Sequence, residues 1–222
     1  MKLQYSDKLV MIGDSITDCG RKRPYGEGLG AGLGNGYAAI VKGLLDTVYP
    51  DLAIRVVNMG IGGNTVLDLQ QRWQTDVVDL QPDWLSIMIG INDVWRQYDA
   101  PLEKEIHVLE HTYETVLNEL VAQTKPQVKG LVLMTPFYIE PNTSDAMRAT
   151  MDQYGQIVRR VADAHGTLFV DTQAAFGPVL DHIYPATLAW DRVHPNTSGH
   201  AVLARALLRA LDFDWNREPD GR

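Results

Sequence analysis

The sequence predicts an α/β protein, a three-layer α/β/α sandwich built around a central, mainly parallel, five-stranded sheet. Two observations predict this class. Five short runs are mostly apolar and are bounded by glycine, proline, asparagine or aspartate, which is typical of strands buried on both faces. Longer amphipathic stretches with helical periodicity alternate with these runs, and such alternation places helices on both faces of a parallel sheet.

The predicted strands follow one another at intervals that leave room for a helix between them. In chain order they cover residues 9–12, 54–57, 84–89, 130–134 and 168–170. The 222 residues show no linker-like change of composition, so we predict a single domain over residues 1–222, with a frayed tail at 218–222. In open α/β sheets the ligand site lies at the carboxyl ends of the strands, so we expect the chemistry in the loops after these runs.

Four stretches have apolar residues three and four positions apart, as one buried face of a helix requires. The clearest is 103–123, and the others are 36–48, 145–164 and 196–211. The apolar face predicted for the clearest stretch consists of Ile106, Leu109, Tyr113, Val116, Leu117 and Leu120. Pro195 directly precedes the last stretch, which fits the start of a helix.

Composition excludes several classes of function. The chain has 20 basic and 28 acidic residues and a net charge of −8, which argues against a nucleic-acid partner, because lysine and arginine hold such partners. The single cysteine, Cys19, can form neither an internal disulfide nor a cysteine-based zinc site. Residues 1–7 lack the apolar stretch of a signal peptide, and no apolar run approaches a membrane span. We therefore predict a cytoplasmic protein with no membrane partner.

Two segments look like functional motifs without being predicted to carry the chemistry. Residues 26–36 read GEGLGAGLGNG, with glycine only at even positions, so the G-x-G-x-x-G dinucleotide fingerprint fails. We predict a flexible loop there, and a role in lining or gating the site stays open. His107, Glu110 and His111 match H-x-x-E-H, which can hold zinc on a helix, but both histidines lie off the predicted apolar face. We predict no metal and no cofactor.

A serine after the first strand and a histidine in a loop just before the last helix indicate nucleophilic catalysis. Ser15 follows the first strand and begins a helix, which exposes its hydroxyl and its backbone N–H, although a plain helix cap explains it equally well. Asp191 and His194 are three residues apart, so the carboxylate can meet Nδ1 and leave Nε2 to take a proton from a hydroxyl. A turn aspartate with a capping histidine is the alternative. His200 is a weaker candidate for the base, because no aspartate lies at a helpful spacing.

Two more loops supply hydrogen-bond donors at the same predicted edge of the sheet. Segment 58–64, which contains Gly63, follows the second strand, and segment 90–93, which contains Asn92, follows the third. Glycine lets a backbone N–H approach a ligand closely, and an asparagine side chain offers two N–H donors. Each loop alone is ordinary turn chemistry, but four such features at successive loop positions on one predicted face indicate a site.

Taken together, these features resemble the SGNH/GDSL hydrolase family over nearly the whole chain. The four family blocks occur in order as Gly13-Asp14-Ser15, Gly63, Gly90-Ile-Asn92-Asp93 and Asp191-x-x-His194, and the first departs from G-D-S-L at Ile16. Longer stretches are similar to those of small intracellular acetylxylan esterases of bacteria, namely IGDSITDCGR, IMIGINDVWRQYD, MTPFYIE and LAWDRVHP. The resemblance implies the flavodoxin-like form of the predicted sandwich.

The resemblance also implies a role for each matched residue. Ser15 is implied as the nucleophile, His194 as the general base and Asp191 as the carboxylate that orients the imidazole. The implied oxyanion hole consists of the backbone N–H groups of Ser15 and Gly63 and the side-chain amide of Asn92.

Substrate contacts are predicted around this core. We predict that Asp14, Tyr184 and Trp190 bind substrate, and for the aromatic residues core packing or a subunit interface is the alternative. Tryptophan and tyrosine are enriched at interfaces, so Tyr184, Trp190 and Trp215 also favour a homo-oligomer.

The predicted function is that of a serine esterase that removes O-acetyl groups from xylo-oligosaccharides through an acyl-enzyme intermediate. One alternative is another activity of the same family, on a differently acetylated sugar, a thioester or a lysophospholipid. A second alternative, from a different class, is a sugar-binding module without catalysis, against which the complete set of Ser15, Asp191 and His194 argues.

Overall fold

A parallel five-stranded sheet forms the centre of the protein. The computed structural model describes residues 1–219, so the predicted frayed tail lies partly outside the described residues. The strands are β1 (Lys8–Gly13), β2 (Arg55–Asn58), β3 (Trp84–Met88), β4 (Gly130–Met134) and β5 (Leu168–Val170). They pair in the order β2-β1-β3-β4-β5, and each pair is parallel. This confirms the predicted sheet and its five strands.

Helices cover both faces of the sheet. In chain order they are α1 (Ser15–Asp18), α2 (Tyr37–Val48), α3 (Val66–Trp73), α4 (Ile91–Asp99), α5 (Glu110–Thr124), α6 (Ala146–His165), α7 (Thr172–Leu180), α8 (Pro185–Leu188) and α9 (Thr197–Ala210). On one face α2 packs against α9, and α9 packs against α7. On the other face α5 packs against α3 and α6, and α6 also contacts α4. Among residues 1–219, no helix combines the length and apolarity needed to cross a bilayer.

Local sequence signals set the ends of the helices that flank the site. Thr65 and Asp68 form a capping box at the start of α3, in which each side chain accepts the other residue's backbone N–H. Asn196 caps α9 by accepting the N–H groups of Ser198 and Gly199. Pro195 therefore lies one residue before the cap rather than inside the first turn.

The helix predicted over 103–123 begins later than the periodicity indicates. A short 3₁₀ turn covers Lys104–Ile106, and α5 starts only at Glu110. The backbone of Leu109 is extended and its side chain is mostly exposed, and the side chain of Ile106 is partly exposed. The first two positions of the predicted apolar face are therefore wrong. Helices α3, α4, α7 and α8 are not among the predicted stretches, because short helices carry too few apolar repeats to show a period.

Two carboxylates are buried at the carboxyl edge of the sheet. Asp14 follows β1 and Asp93 lies in the first turn of α4, and both are fully enclosed. Each accepts one backbone N–H, Asp14 from Ile16 and Asp93 from Val66. Oδ2 of Asp93 has no hydrogen-bond partner among residues 1–219. Burial raises the pKa of both groups to about 7, and each backbone hydrogen bond offsets part of that increase.

The raised pKa of Asp93 predicts a specific dependence of stability on pH. The pKa of Asp93 is higher in the folded protein than in the unfolded chain. Protonated Asp93 therefore contributes stability that is present below about pH 4 and is lost as the pH rises through about 7. Asp93→Asn keeps an oxygen for the Val66 N–H and removes the ionisation. We expect the unfolding free energy of the wild type, minus that of Asp93→Asn, to fall over this range by at most about 1.4 kcal/mol per pH unit.

Urea denaturation at a series of pH values measures this difference. Asp212→Asn is the control, because Asp212 is an exposed carboxylate whose hydrogen bond from Lys2 lowers its pKa. The difference between the wild type and Asp212→Asn should not fall over the same range. A difference for Asp93→Asn that stays level or rises with pH would contradict the prediction.

Candidate active site

Ser15 lies at the point where the chain leaves β1 and immediately begins α1. Gly13 permits this turn, because a Cβ there would lie 2.3 Å from the Met88 carbonyl oxygen and 2.4 Å from Thr17 Oγ1. Asp14 caps the helix by accepting the Ile16 N–H at 2.9 Å. The cap leaves Ser15 at the first helical position, with a half-buried side chain at the carboxyl edge of the sheet.

Three side chains form a hydrogen-bonded chain at this edge. Ser15 Oγ lies 2.9 Å from Nε2 of His194, and Nδ1 of His194 lies 2.6 Å from Oδ2 of Asp191. An ionised carboxylate only accepts hydrogen bonds, so Nδ1 carries a proton and Nε2 is left to accept the hydroxyl proton of Ser15. A serine hydroxyl bonded to an imidazole that a carboxylate orients is the arrangement that activates a serine nucleophile.

The loop before α9 holds Asp191 in its ionised form. Partial burial raises the pKa of Asp191, but hydrogen bonds from the His194 ring and from the backbone N–H groups of His194 and Val193 outweigh burial. The resulting pKa lies below the ordinary value for aspartate. A carboxylate with a lowered pKa stays charged and keeps the imidazole in one orientation.

The segment after β4 that contains Ile139 and Glu140 holds the backbone between Asp191 and His194. Arg192 has a φ of 63°, in the left-handed region, and its carbonyl accepts the Ile139 N–H at 2.9 Å. Its guanidinium also pairs with the Glu140 carboxylate. These contacts hold the segment in a conformation that is uncommon for residues other than glycine.

Hydrogen-bond donors lie beside Ser15 in the positions that the sequence predicts. A Cβ built on Gly62 would lie 3.8 Å from the Ser15 Cβ, so the loop after β2 lies against the serine. The Gly62 N–H donates to Asp18 Oδ2 at 3.0 Å. In contrast, neither the Ser15 nor the Gly63 backbone N–H donates to any acceptor within residues 1–219. Both N–H groups are thus left without a protein acceptor among these residues.

The Asn92 amide completes this group of donors. Its Nδ2 donates to the Asn64 carbonyl oxygen at 3.0 Å, which fixes the amide and leaves its second hydrogen unused. Gly63 has a φ of +82°, a backbone conformation that side chains rarely adopt, so the loop requires glycine there. Two backbone N–H groups and one side-chain amide are therefore held in place before any substrate binds.

Predicted substrate contacts divide into two groups. Tyr184 and Trp190 are 72% and 83% exposed, and Trp190 precedes Asp191, so both remain available to a substrate. Asp14 is only 1% exposed and its carboxylate caps α1, so the expectation that it binds substrate does not fit its position. The Trp95 ring packs edge-on against His194 at a centroid distance of 5.8 Å and forms one wall of the site.

The weaker candidates for a catalytic base and for a metal site take no part in the hydrogen-bonded chain of Ser15, His194 and Asp191. His200 is buried, its Nδ1 accepts the Tyr37 N–H, and burial lowers its pKa to about 4. His107 lies before α5 begins, where its Nε2 donates to the Ala100 carbonyl at 3.0 Å, so it does not share a helix face with His111. Within the described part of the chain, no three metal-ligating side chains come together. Residues 26–36 form an irregular loop that is tied to β2 by backbone hydrogen bonds between Gly26 and Asn58.

Sequence reasoning missed the side chains that support the loop after β2. Arg21 and Arg23 both donate to the Gly60 carbonyl, and Arg72 donates to the Met59 carbonyl at 2.7 Å. Arginine in a polar stretch is normally assigned to the solvated surface. The structure shows loop anchoring. Only the three-dimensional path of the loop brings these carbonyls within reach, so no spacing along the chain could have revealed it.

Comparisons with known proteins agree with this geometry. Residues 11–202 match the GDSL-like Lipase/Acylhydrolase family. An acetylxylan esterase of Geobacillus stearothermophilus is 62% identical over 217 residues, which cover 98% of this chain and 99% of that enzyme. The crystal structure of Axe2, an acetylxylan esterase from the same organism, has a TM-score of 0.97 and 62% identity over 99% of this chain and 100% of that one.

A further solved structure extends the likeness beyond one organism. LAE5, an alpha/beta hydrolase enzyme from the metagenome of Lake Arreo, is 54% identical, with a TM-score of 0.95 over 96% of this chain and 98% of that one. Three structures of Axe2 are of catalytic mutants, in which a serine, an aspartate and a histidine are each replaced by alanine. On the family match and these identities, the chain belongs to the GDSL-like lipase and acylhydrolase family.

Proposed function

We propose that this protein is a serine esterase that removes O-acetyl groups from xylo-oligosaccharides through an acyl-enzyme intermediate. One observation carries the proposal: Ser15 Oγ lies 2.9 Å from His194 Nε2, and the backbone N–H groups of Ser15 and Gly63 bind no acceptor within residues 1–219. The choice of substrate is supported by the 62% identical acetylxylan esterase and by Axe2, which is described as an acetyl-xylooligosaccharide esterase.

In the first half of the reaction Ser15 becomes acetylated. His194 Nε2 takes the hydroxyl proton while Ser15 Oγ attacks the ester carbonyl carbon, and the carbonyl oxygen becomes negatively charged. The N–H groups of Ser15 and Gly63 and the Asn92 amide stabilise that charge without having to reorganise. The protonated His194 then gives its proton to the departing sugar oxygen, and the ester C–O bond breaks.

In the second half water releases the acetyl group. His194, neutral again, removes a proton from water as the water oxygen attacks the acetyl carbonyl, and the same donors stabilise the second oxyanion. The proton returns to Ser15 Oγ as the acyl bond breaks, which yields acetate and the free serine. Asp191 stays ionised throughout, as its lowered pKa requires, and stabilises the imidazolium.

The surroundings of the serine fit a sugar as the alcohol part of the ester. Tyr184 and Trp190 expose most of their rings near the start of the Asp191 loop, and aromatic faces are suited to contacts with apolar faces of sugars. The His194 side chain is 42% exposed, so a bulky leaving group can reach Nε2 without crossing a closed cavity. We propose Tyr184 and Trp190 as substrate contacts on this basis.

The central prediction concerns acetate release from acetylated xylo-oligosaccharide. We expect the wild type to release acetate and Ser15→Ala to lose at least about 10⁴ of the turnover, because removal of the nucleophile disables the whole triad. EDTA should have no effect, since the proposed chemistry uses no metal. Enzymatic determination of acetate over time gives the rates.

Three outcomes of that assay would count against parts of the proposal. If the Ser15→Ala variant keeps more than about a tenth of the wild-type activity, Ser15 is excluded as the nucleophile. Turnover of p-nitrophenyl acetate that depends on Ser15, without release from the oligosaccharide, would retain the serine mechanism and exclude this substrate. In a p-nitrophenyl ester series, a rate that rises with acyl length would favour a thioester or lysophospholipid substrate instead.

We also propose that the protein forms a homo-oligomer. The support is the exposure of large aromatic side chains toward the C-terminal end, namely Tyr184, Trp190 and Trp215. Multi-angle light scattering on a size-exclusion column should give a mass well above 24.8 kDa, the mass of one chain. A single species at the mass of one chain, at every concentration tested, would exclude this part of the proposal.

We place the reaction in the cytoplasm. The support is the single cysteine, which leaves the fold independent of internal disulfides, and the short oligosaccharide substrate, which can be imported. Activity found in the medium of intact cells rather than in their lysate would contradict this location.

A further inference from the structure

Arg72 donates to backbone carbonyls of two separate segments next to Ser15, the end of β1 and the loop after β2. It lies in the last turn of α3, and only 14% of its side chain is exposed. Its Nη2 donates to the Gly13 carbonyl at 3.0 Å and its Nη1 to the Met59 carbonyl at 2.7 Å. Its Nε donates to Asn64 Oδ1 at 2.8 Å. One guanidinium therefore joins the end of β1 to both ends of the loop that carries Gly63.

These acceptors flank every group assigned to the oxyanion hole. Gly13 lies two residues before Ser15, and its carbonyl also accepts the Ile61 N–H at 3.0 Å. Asn64 follows Gly63 directly, and its own carbonyl accepts the Asn92 amide. A shift of the Arg72 guanidinium would thus displace the backbone next to Ser15, next to Gly63 and under the Asn92 amide together.

The chemistry of this cluster requires arginine. A guanidinium is planar, always charged, and presents five N–H donors in a fixed fork, which lets one group serve acceptors in different directions. Lysine offers a single ammonium on a flexible stem and cannot span the same three acceptors. Asp76, one turn later, accepts from Nη1 at 2.7 Å and balances the charge of the half-buried cation.

We infer that Arg72 is a positioning residue that sets the spacing of the oxyanion-hole donors. The inference rests on the proposed function, because it assigns the loop a task only if Ser15 transfers an acyl group. Donors act on the transition state when they sit at hydrogen-bond distance from the oxyanion, and a misplacement of about 1 Å costs about 10²-fold in rate. The positive charge of Arg72 under the loop also favours the developing anion.

A purely structural role for Arg72 makes a different prediction. Loss of packing and of four hydrogen bonds would lower stability and reduce the folded fraction, without a selective effect on the chemical step. The oxyanion role instead lowers kcat with little change in KM, because the lost interaction exists only in the transition state. It also predicts that free guanidinium can restore part of the lost rate.

The experiment compares Arg72→Ala with a matched arginine at the opposite edge of the sheet. Arg217 donates to the Val48 carbonyl at 2.9 Å and pairs with Asp51, and its side chain is 22% exposed. Arg217→Ala therefore removes a carbonyl contact and an ion pair of the same kind, away from Ser15. Both variants are assayed with p-nitrophenyl acetate, and their melting temperatures are measured alongside.

For Arg72→Ala we expect kcat to fall by about 10²-fold, as for loss of one oxyanion donor, with KM within about threefold of wild type. Guanidinium chloride at non-denaturing concentration should raise its kcat at least several-fold, whereas sodium chloride should not. Arg217→Ala should keep the wild-type kcat and show no response to guanidinium. Asn92→Ala should lose a similar factor to Arg72→Ala, and the double variant should lose much less than the product.

Asn64→Ala keeps the test decisive if Arg72→Ala does not fold. It removes one acceptor of the guanidinium and leaves the Asn64 carbonyl under the Asn92 amide, so we expect a smaller loss of kcat, about tenfold. The inference is overturned if folded Arg72→Ala and Asn64→Ala keep the wild-type kcat, or if Arg217→Ala loses as much. If the wild type itself shows no turnover that depends on Ser15, the proposed function fails first, which is a separate result.

Discussion

The site depends on one hydrogen bond that joins the two ends of the chain. Ser15 Oγ and His194 Nε2 are 2.9 Å apart in space but 179 residues apart in sequence. Parallel strand pairing makes this possible, because every strand delivers its following loop to the same edge of the sheet. Ser15 follows β1, the Gly63 loop follows β2, and Asn92 follows β3, so the sheet order brings them together before any side chain contributes.

Side chains then fix what the sheet only brings close. Arg72 ties the Gly63 loop to the end of β1, Asn92 holds the same loop through the Asn64 carbonyl, and Glu140 holds the Asp191 loop through Arg192. Donors that are already in place stabilise an oxyanion better than groups that must reorganise. Asp14 caps α1 next to the serine, and burying its carboxylate there carries a desolvation penalty.

The sequence predicted the strands and the reacting groups because both follow short-range rules. Apolar runs identified the five strands. Ser15 and Asn92 follow strand ends, and Asp191 and His194 precede the last helix, each in a recognisable block. The start of α5 and the burial of Asp14 were beyond those rules, since both depend on what packs against the segment. The contacts of Arg72 were beyond them too, because its acceptors at the end of β1 and in the loop after β2 meet it only in the folded chain.

The most direct test of the account is covalent labelling of the serine by paraoxon, a phosphate triester that reacts with activated serine hydroxyls. Intact-mass and peptide mass spectrometry should find one diethylphosphoryl group per chain, on Ser15, and almost none on the His194→Ala variant, in which Ser15 has no base. A label on another residue, or labelling of Ser15 at the wild-type rate without His194, would contradict the claim that this hydrogen bond activates the nucleophile.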